Sequence, residues 1–319
     1  MIEKQNIKII RYENRFKNDW DSFVDKAKNS TFLFKRDFME YHSDRFDDFS
    51  LMIFEKDILK AVLPANIKDN VVFSHQGLTY GGLLIKNSCK LDFYEKIFND
   101  ILQFLAKNKI TCLEIKILPS IYCKASNDEI SYLSSKYNVN LSQVIGSVVY
   151  LKKEPIISKS ILRNANKAIR KGVFIQETND FDTFWNQLLV PRLEERYNKK
   201  PVHTLDEIKY LKKRFSNEIV LIAAFLENEM IAGTVLFKSD TFVKSQYIGS
   251  KAVYNKLGAI DLLHLQIIEN LKHEYFDFGV SVNPENSLIH KSLIEWKEQF
   301  GARTIVFPKY TFKINQPKI

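Results

Sequence analysis

Cysteine is scarce in this chain. There are three in 319 residues, Cys89, Cys112 and Cys123, an odd number at no metal-binding spacing. That argues against a disulfide framework or a cysteine-based metal site and fits a reducing compartment. The opening run MIEKQNIKIIRYENRF lacks the apolar stretch of a signal peptide. No window approaches the roughly 18 apolar residues needed to cross a bilayer. Short-period repeats and low-complexity stretches are absent as well. These absences point to a cytoplasmic, globular protein without membrane insertion.

What is present is ordinary for such a protein: 45% hydrophobic and 27% charged residues. The length allows one large domain or two ordinary ones, with enough chain to bury a core without staples. The 24 Phe and 14 Tyr mostly belong to that core. The net charge of +9 is either a lysine-rich solvated surface or the mark of an anionic partner such as a nucleotide, RNA or a membrane.

Helix and strand patterns alternate, which predicts an α/β or mixed α+β fold. In the first half, helices are predicted over 16–28, 37–42, 90–107 and 127–137. Strands are predicted over 50–54, 58–67, 70–74, 111–117 and 144–151. In the second half, Asp180 to Tyr197 reads as a helix. Thr204 and Glu207 form a capping box that opens a helix to about Phe215. Strands follow over 219–227, 230–238 and 241–250, then a helix over 259–272, a strand over 275–280, a helix over 287–300 and a strand over 304–308. Two halves with nearly one element order suggest a duplicated domain, divided as 1–150 and 151–319.

The strongest pattern is YIGSKAVYNKLGAIDLLHLQIIENL, a strand that ends at Ser250 and leads through Gly258-Ala259 into a helix. Backbone N–H groups at a helix start attract anions, and Gly258 allows a diphosphate to come close. The plainer reading is an ordinary helix start. Strand, turn, Gly-x-small and helix resemble the pyrophosphate turn of GNAT enzymes. The Arg or Gln that opens their motif is replaced by Asn255, and its last small residue by Ile260. Further on, Trp296-Lys297-Glu298-Gln299-Phe300-Gly301 resembles an aromatic-Lys-x-x-Phe-Gly ending of the FemAB branch. TFLFKRDFMEYH, with Arg36, resembles that branch's opening aromatic segment, and RNANKAIRKGV its basic inter-domain segment.

The resemblance covers nearly the whole chain. It implies two tandem GNAT-like domains, each a mixed twisted sheet flanked by helices, in an acyltransferase. No long heptad arm of the transfer-RNA-dependent FemAB proteins is present. HQGLTYGG and KPVHTLDE resemble the shorter branch associated with surface polysaccharide synthesis. That implies acyl-CoA as co-substrate, no metal, and a nucleotide-linked amino sugar, dTDP-linked by preference, as acceptor for O antigen or capsule. The alternative is a FemAB-type aminoacyl transferase fed by aminoacyl-tRNA or a carrier protein.

Candidate residues follow. His203, held between Pro201 and the capped helix, is the first candidate base; a surface histidine is the plain reading. Tyr247 is a candidate acid for the leaving thiolate, or a packed strand tyrosine. Asp277, a charge in the apolar strand YFDFG, either orients the acceptor amine or pairs with a nearby cation. The resemblance places coenzyme A along Ser245, Ile248, Gly249, Lys256, Gly258 and Ala259, with oxyanion donors from the backbone of Tyr247 to Gly249. Acceptor contacts are assigned to Arg36, His75, Tyr80, Arg163, Lys167 and Lys297. Arg163, Lys167, Arg170 and Lys171 share one face of a helix whose other side carries Ile161, Leu162, Ala165, Ala168 and Ile169. Lys297 is expected to reach solvent or a phosphate.

Overall fold

The computed structural model describes residues 7–137, 139–282 and 288–314, without the side chain of Tyr197. It divides into two compact units, Met1–Gln143 with Val306–Ile319, and Val144–Ile305. The sequence reading divided the chain at 150 and kept its end in the second half. Instead, Lys309–Lys313 pairs antiparallel with Cys112–Lys116 of the first unit. Tyr310 and Phe312 alternate into that unit's core, which returns the chain's end to it.

In the first unit, Ile7–Arg11, Leu51–Glu55, Ile58–Leu63 and Leu84–Ile85 form an antiparallel sheet in that order. Cys112–Lys116 pairs in parallel with Val71–Phe73, which continues through Asn66–Lys68 to Asp47–Asp48. The helix Leu91–Lys107 buries Tyr94, Ile97, Phe98, Ile101 and Leu105; the sequence spacing gives Tyr94, Ile97, Ile101 and Leu105 of these, with Leu91, which is exposed, and Phe104, which is partly buried.

In the second unit the strand order is Val173–Thr178, Ile219–Leu226, Glu229–Lys238, Phe242–Ser250, Tyr275–Val280, then Gly146–Tyr150 of the strand Val139–Tyr150. Every neighbour is antiparallel except Phe242–Ser250 with Tyr275–Val280. A parallel pair needs a crossover, and the helix Ala259–Asn270 supplies it. That helix and Lys159–Arg170 share one core, built from Ile161, Ala165 and Ala168 against Leu262, Leu263 and Phe276. On the sheet, Gly233 faces Gly249 in register. A Cβ on Gly249 would stand 2.9 Å from the backbone of Leu188 and Leu189, and one on Gly233 would stand 2.8 Å from the Phe184 ring. The small pair therefore seats the segment Phe184–Leu189, which is wound as a π-helix. Pro191 two residues on has no N–H and collides with a carbonyl one turn back, a known cause of such widening.

Helices expected over 127–137 and 287–300 are shorter, Glu129–Ser134 and Lys291–Glu298; Ser287 lies outside the described residues. The strands Ile7–Arg11 and Val173–Thr178 were not foreseen, because each sits beside a strong helical pattern. The capping box forms in both directions between Thr204 and Glu207.

Candidate active site

Strands Phe242–Ser250 and Tyr275–Val280 pair at only three positions, Phe242 with Tyr275, Val243 with Phe276, and Lys244 with Asp277. On its other side, Phe242–Ser250 stays paired with Glu229–Lys238 but shifts register, so that Val235 faces Tyr247 and Leu236 faces Ser245. Gln246 is the extra residue of this bulge. A bulge bends its strand and re-aims side chains, and here it lies where the parallel neighbour is left behind. The result is a fork with an open strand edge from Ser245 onward. The buried Gln246 Oε1 has no hydrogen-bond partner.

A buried charge cluster closes the fork. Asp277 is fully buried; Lys244 Nζ lies 3.3 Å from its Oδ2, and the Gly279 N–H donates to its Oδ1 at 2.6 Å. Asp277 is thus a structural pair for Lys244. Lys297 is 2% exposed, and its ammonium donates to the Gly279 and Val280 carbonyls and the Ser281 hydroxyl at 2.9, 3.1 and 2.7 Å. The expectation that it reaches solvent or a phosphate is therefore corrected: strand-end carbonyls replace both. Burial, with the repulsion of Lys244, pushes its pKa down to about 7, against the pull of Asp277.

Above the fork, the Tyr247 hydroxyl bonds His203 twice, to ring Nδ1 and, at 3.2 Å, as acceptor from the backbone N–H. The Trp185 ring meets Tyr247 edge-on at 5.0 Å. The phenolic oxygen accepts the backbone N–H and faces ring Nδ1, so which of the two groups donates depends on the imidazole tautomer. Burial is the main reason that the Tyr247 hydroxyl is pushed up to about 12, so it holds its proton at working pH. Two residues taken separately from the sequence are thus one buried acid–imidazole pair.

Gly258 has φ +84°, and a Cβ there would stand 2.5 Å from the Asn164 carbonyl oxygen. On the side where a Cβ would stand, the glycine admits the backbone of helix Lys159–Arg170. Asp261, in the first helical turn, accepts from Asn164 Nδ2 at 2.7 Å and Trp296 Nε1 at 2.9 Å. It places a carboxylate at the positive helix end. A small cavity of about 50 Å³ remains, lined by Ser250, Asn255, Gly258, Ala259 and Asp261 among others. Gly258→Ala is expected to lower stability by about 2 kcal/mol or more, from left-handed strain and the clash with Asn164. An unchanged urea midpoint would show that helix Lys159–Arg170 is not seated there.

Other assigned residues lie elsewhere. Ser245 bonds Thr234 at 2.8 Å within the sheet. Ile248 is half-buried, Ala259 buried and Lys256 exposed. Lys256 is joined to the basic helix by its carbonyl, which accepts from Lys167 at 2.7 Å. Arg163 is exposed. In the first unit, Arg36 is buried, bonds Glu40, Ser50 and Asp48, and lies 3.7 Å over the Tyr12 ring. Tyr80 is in the core beside Tyr122 and Phe307. His75 is buried, stacked 5.2 Å from His42, with φ +69°. Burial, helped by His42, pushes it down to about 3.

His264 was missed by the sequence reading. It sits fully buried among Phe276, Phe278, Trp296 and Phe300, its Nδ1 2.9 Å from the Ile260 carbonyl. Its signal was a histidine on the apolar stripe of a helix. Burial holds it down at about 4. Its folded pKa lies below the ordinary 6.5, so between those values the unfolded chain binds the extra proton. Stability supplied by the neutral ring is therefore lost as pH falls from 6.5 toward 4, by at most about 1.4 kcal/mol per pH unit. Urea midpoints across that range should fall less steeply in His264→Phe; equal slopes would remove His264 as a cause.

Among the described residues no group of His, Cys, Asp and Glu is arranged to hold a metal ion, and no helix is long and apolar enough to cross a membrane. No protein-family model and no curated protein matches the chain. Solved structures do. FemX superposes at TM-score 0.69 with 10% identity, over 97% of this chain and 98% of that one. L-PGS from Bacillus licheniformis gives 0.60 with 11% identity, over 96% and 93%. A tandem GNAT protein from the clavulanic acid biosynthesis pathway gives 0.51 with 9% identity, over 98% and 100%. The likeness is one of fold, and the chain has the tandem GNAT-type fold of these proteins.

Proposed function

We propose that this tandem GNAT-type chain is an N-acyltransferase that moves an acyl group from coenzyme A to the amine of a nucleotide-linked amino sugar. The fork carries the acyl-transfer reading. Two parallel strands part after Lys244 and Asp277, and the first is bulged at Gln246. A parted strand offers N–H and C=O groups at ladder spacing to an extended ligand. A donor whose arm contains amides suits that edge, and the N–H groups of Tyr247 to Gly249 are candidate donors to the oxyanion.

The deprotonated amine attacks the thioester carbonyl. The C–N bond forms, the C–S bond breaks, and the thiolate takes a proton. The amine loses one N–H proton as the amide forms, and this proton balances the one the thiolate takes: Tyr247 gives its proton to the sulfur and regains one through His203, which receives the amine's. Holding amine and carbonyl together supplies most of the acceleration. The acceptor is inferred from the resemblance of HQGLTYGG and KPVHTLDE.

A second reading, an aminoacyl ester as donor, is favoured by one observation: Asp261 puts a carboxylate where a diphosphate of coenzyme A would bind. The test is product mass spectrometry on the purified chain with dTDP-linked amino sugars, supplied with acyl-CoA or with aminoacyl-tRNA. N-acylated sugar formed from the thioester supports the first reading. Product from aminoacyl-tRNA alone transfers the assignment to the second, and no product with either contradicts both.

A further inference from the structure

The helix Lys159–Arg170 was read as having one apolar and one basic side. It buries Ile161, Ala165 and Ala168, but Leu162 and Ile169 lie outside, 40% and 51% exposed. They are seven residues apart, so they stand in one line along the helix surface. Lys159, Arg163 and Arg170 flank that line on its solvent side, with Lys171 at the C-cap, all exposed. No acid occurs from Lys159 to Lys171. The helix is anchored from beneath, since Asn164 bonds Asp261 and packs on Gly258 while Lys167 bonds the Lys256 carbonyl. The two apolar side chains are thus left outside by a rigid helix.

We propose that this face docks on an anionic lipid bilayer. A helix lying in the bilayer interface needs this combination: apolar side chains that enter the acyl boundary and flanking cations that meet acidic headgroups. A second copy of the chain would bring like charge against like charge. A single-stranded nucleic acid would use the cations but gain nothing from Leu162 and Ile169, and the helix has no aromatic residue on which a base stacks. The docking is peripheral and reversible, because two apolar side chains and a few cations hold a protein weakly.

The test is co-sedimentation of the full chain with vesicles of phosphatidylcholine mixed with phosphatidylglycerol, against phosphatidylcholine alone. The expected result is partition to the mixed vesicles only, weakening as salt is raised. Arg163→Gln with Arg170→Gln should reduce partition roughly twenty-five-fold, about fivefold for each cation. Leu162→Ser with Ile169→Ser should reduce it roughly tenfold or more. All four side chains are exposed, so these variants should keep the wild-type melting temperature. Absence of partition, or equal partition to neutral vesicles, overturns the proposal. So does loss with the arginine pair but not with the Leu162 and Ile169 pair, joined to competition by transfer RNA, which would mark a polyanion surface instead. The lipid and salt arms use the unaltered chain and decide even if a variant misfolds.

Discussion

Tyr247→Phe is expected to reduce kcat by about a hundredfold or more while leaving the fold in place. The substitution keeps the ring against Trp185 and removes one oxygen. That oxygen is the group that burial keeps protonated, and it accepts the backbone N–H of His203 while facing its Nδ1. Its loss should also lower stability by about 1–2 kcal/mol, because a buried hydrogen bond is broken. Single-turnover rates with the acyl donor at saturation separate the two effects. A rate within threefold of wild type, on the order of 0.6 kcal/mol in barrier, would remove Tyr247 from the chemistry.

Asp277→Ala is expected to cost about 3–5 kcal/mol of stability, the range for removing one partner of a buried ion pair. Asp277 is fully buried, and its loss would leave the largely buried Lys244 without its counter-charge beside Lys297. Asp277→Asn keeps an acceptor for the Gly279 N–H and should cost less. Urea denaturation of the three proteins gives the order; a loss below about 1 kcal/mol in the alanine variant would mean that Lys244 finds water or another acceptor.

Much of the fold was legible because it depends on local patterns. The apolar stripe of 91–107, the Thr204–Glu207 box and the strands at 219–250 all formed where periodicity and capping placed them. The candidate site was legible residue by residue but not in its partnerships. His203 and Tyr247 are 44 residues apart in the chain, so no local pattern pairs them. Arg36, Tyr80 and His75 looked like ligand contacts because they are polar or aromatic beside turns. In the structure all three are buried and have partners within the first unit. Gly258 reads from the sequence as a point where a diphosphate comes close; the close packing of Asn164 on the same glycine depends on a helix about a hundred residues earlier, which no local pattern reveals. Leu162 and Ile169 fell on the wrong side of the helical wheel because apolar residues were grouped together, although the buried stripe is the narrower one of Ile161, Ala165 and Ala168.

The fork between Phe242–Ser250 and Tyr275–Val280 is the centre of the account. Amide hydrogen exchange, resolved along the chain with and without acyl donor, tests it most directly. The expected result is new protection at residues 245–249 and 278–280, where the strands have parted, with little change at 242–244, where they are already paired. Protection elsewhere with none along that edge would contradict it.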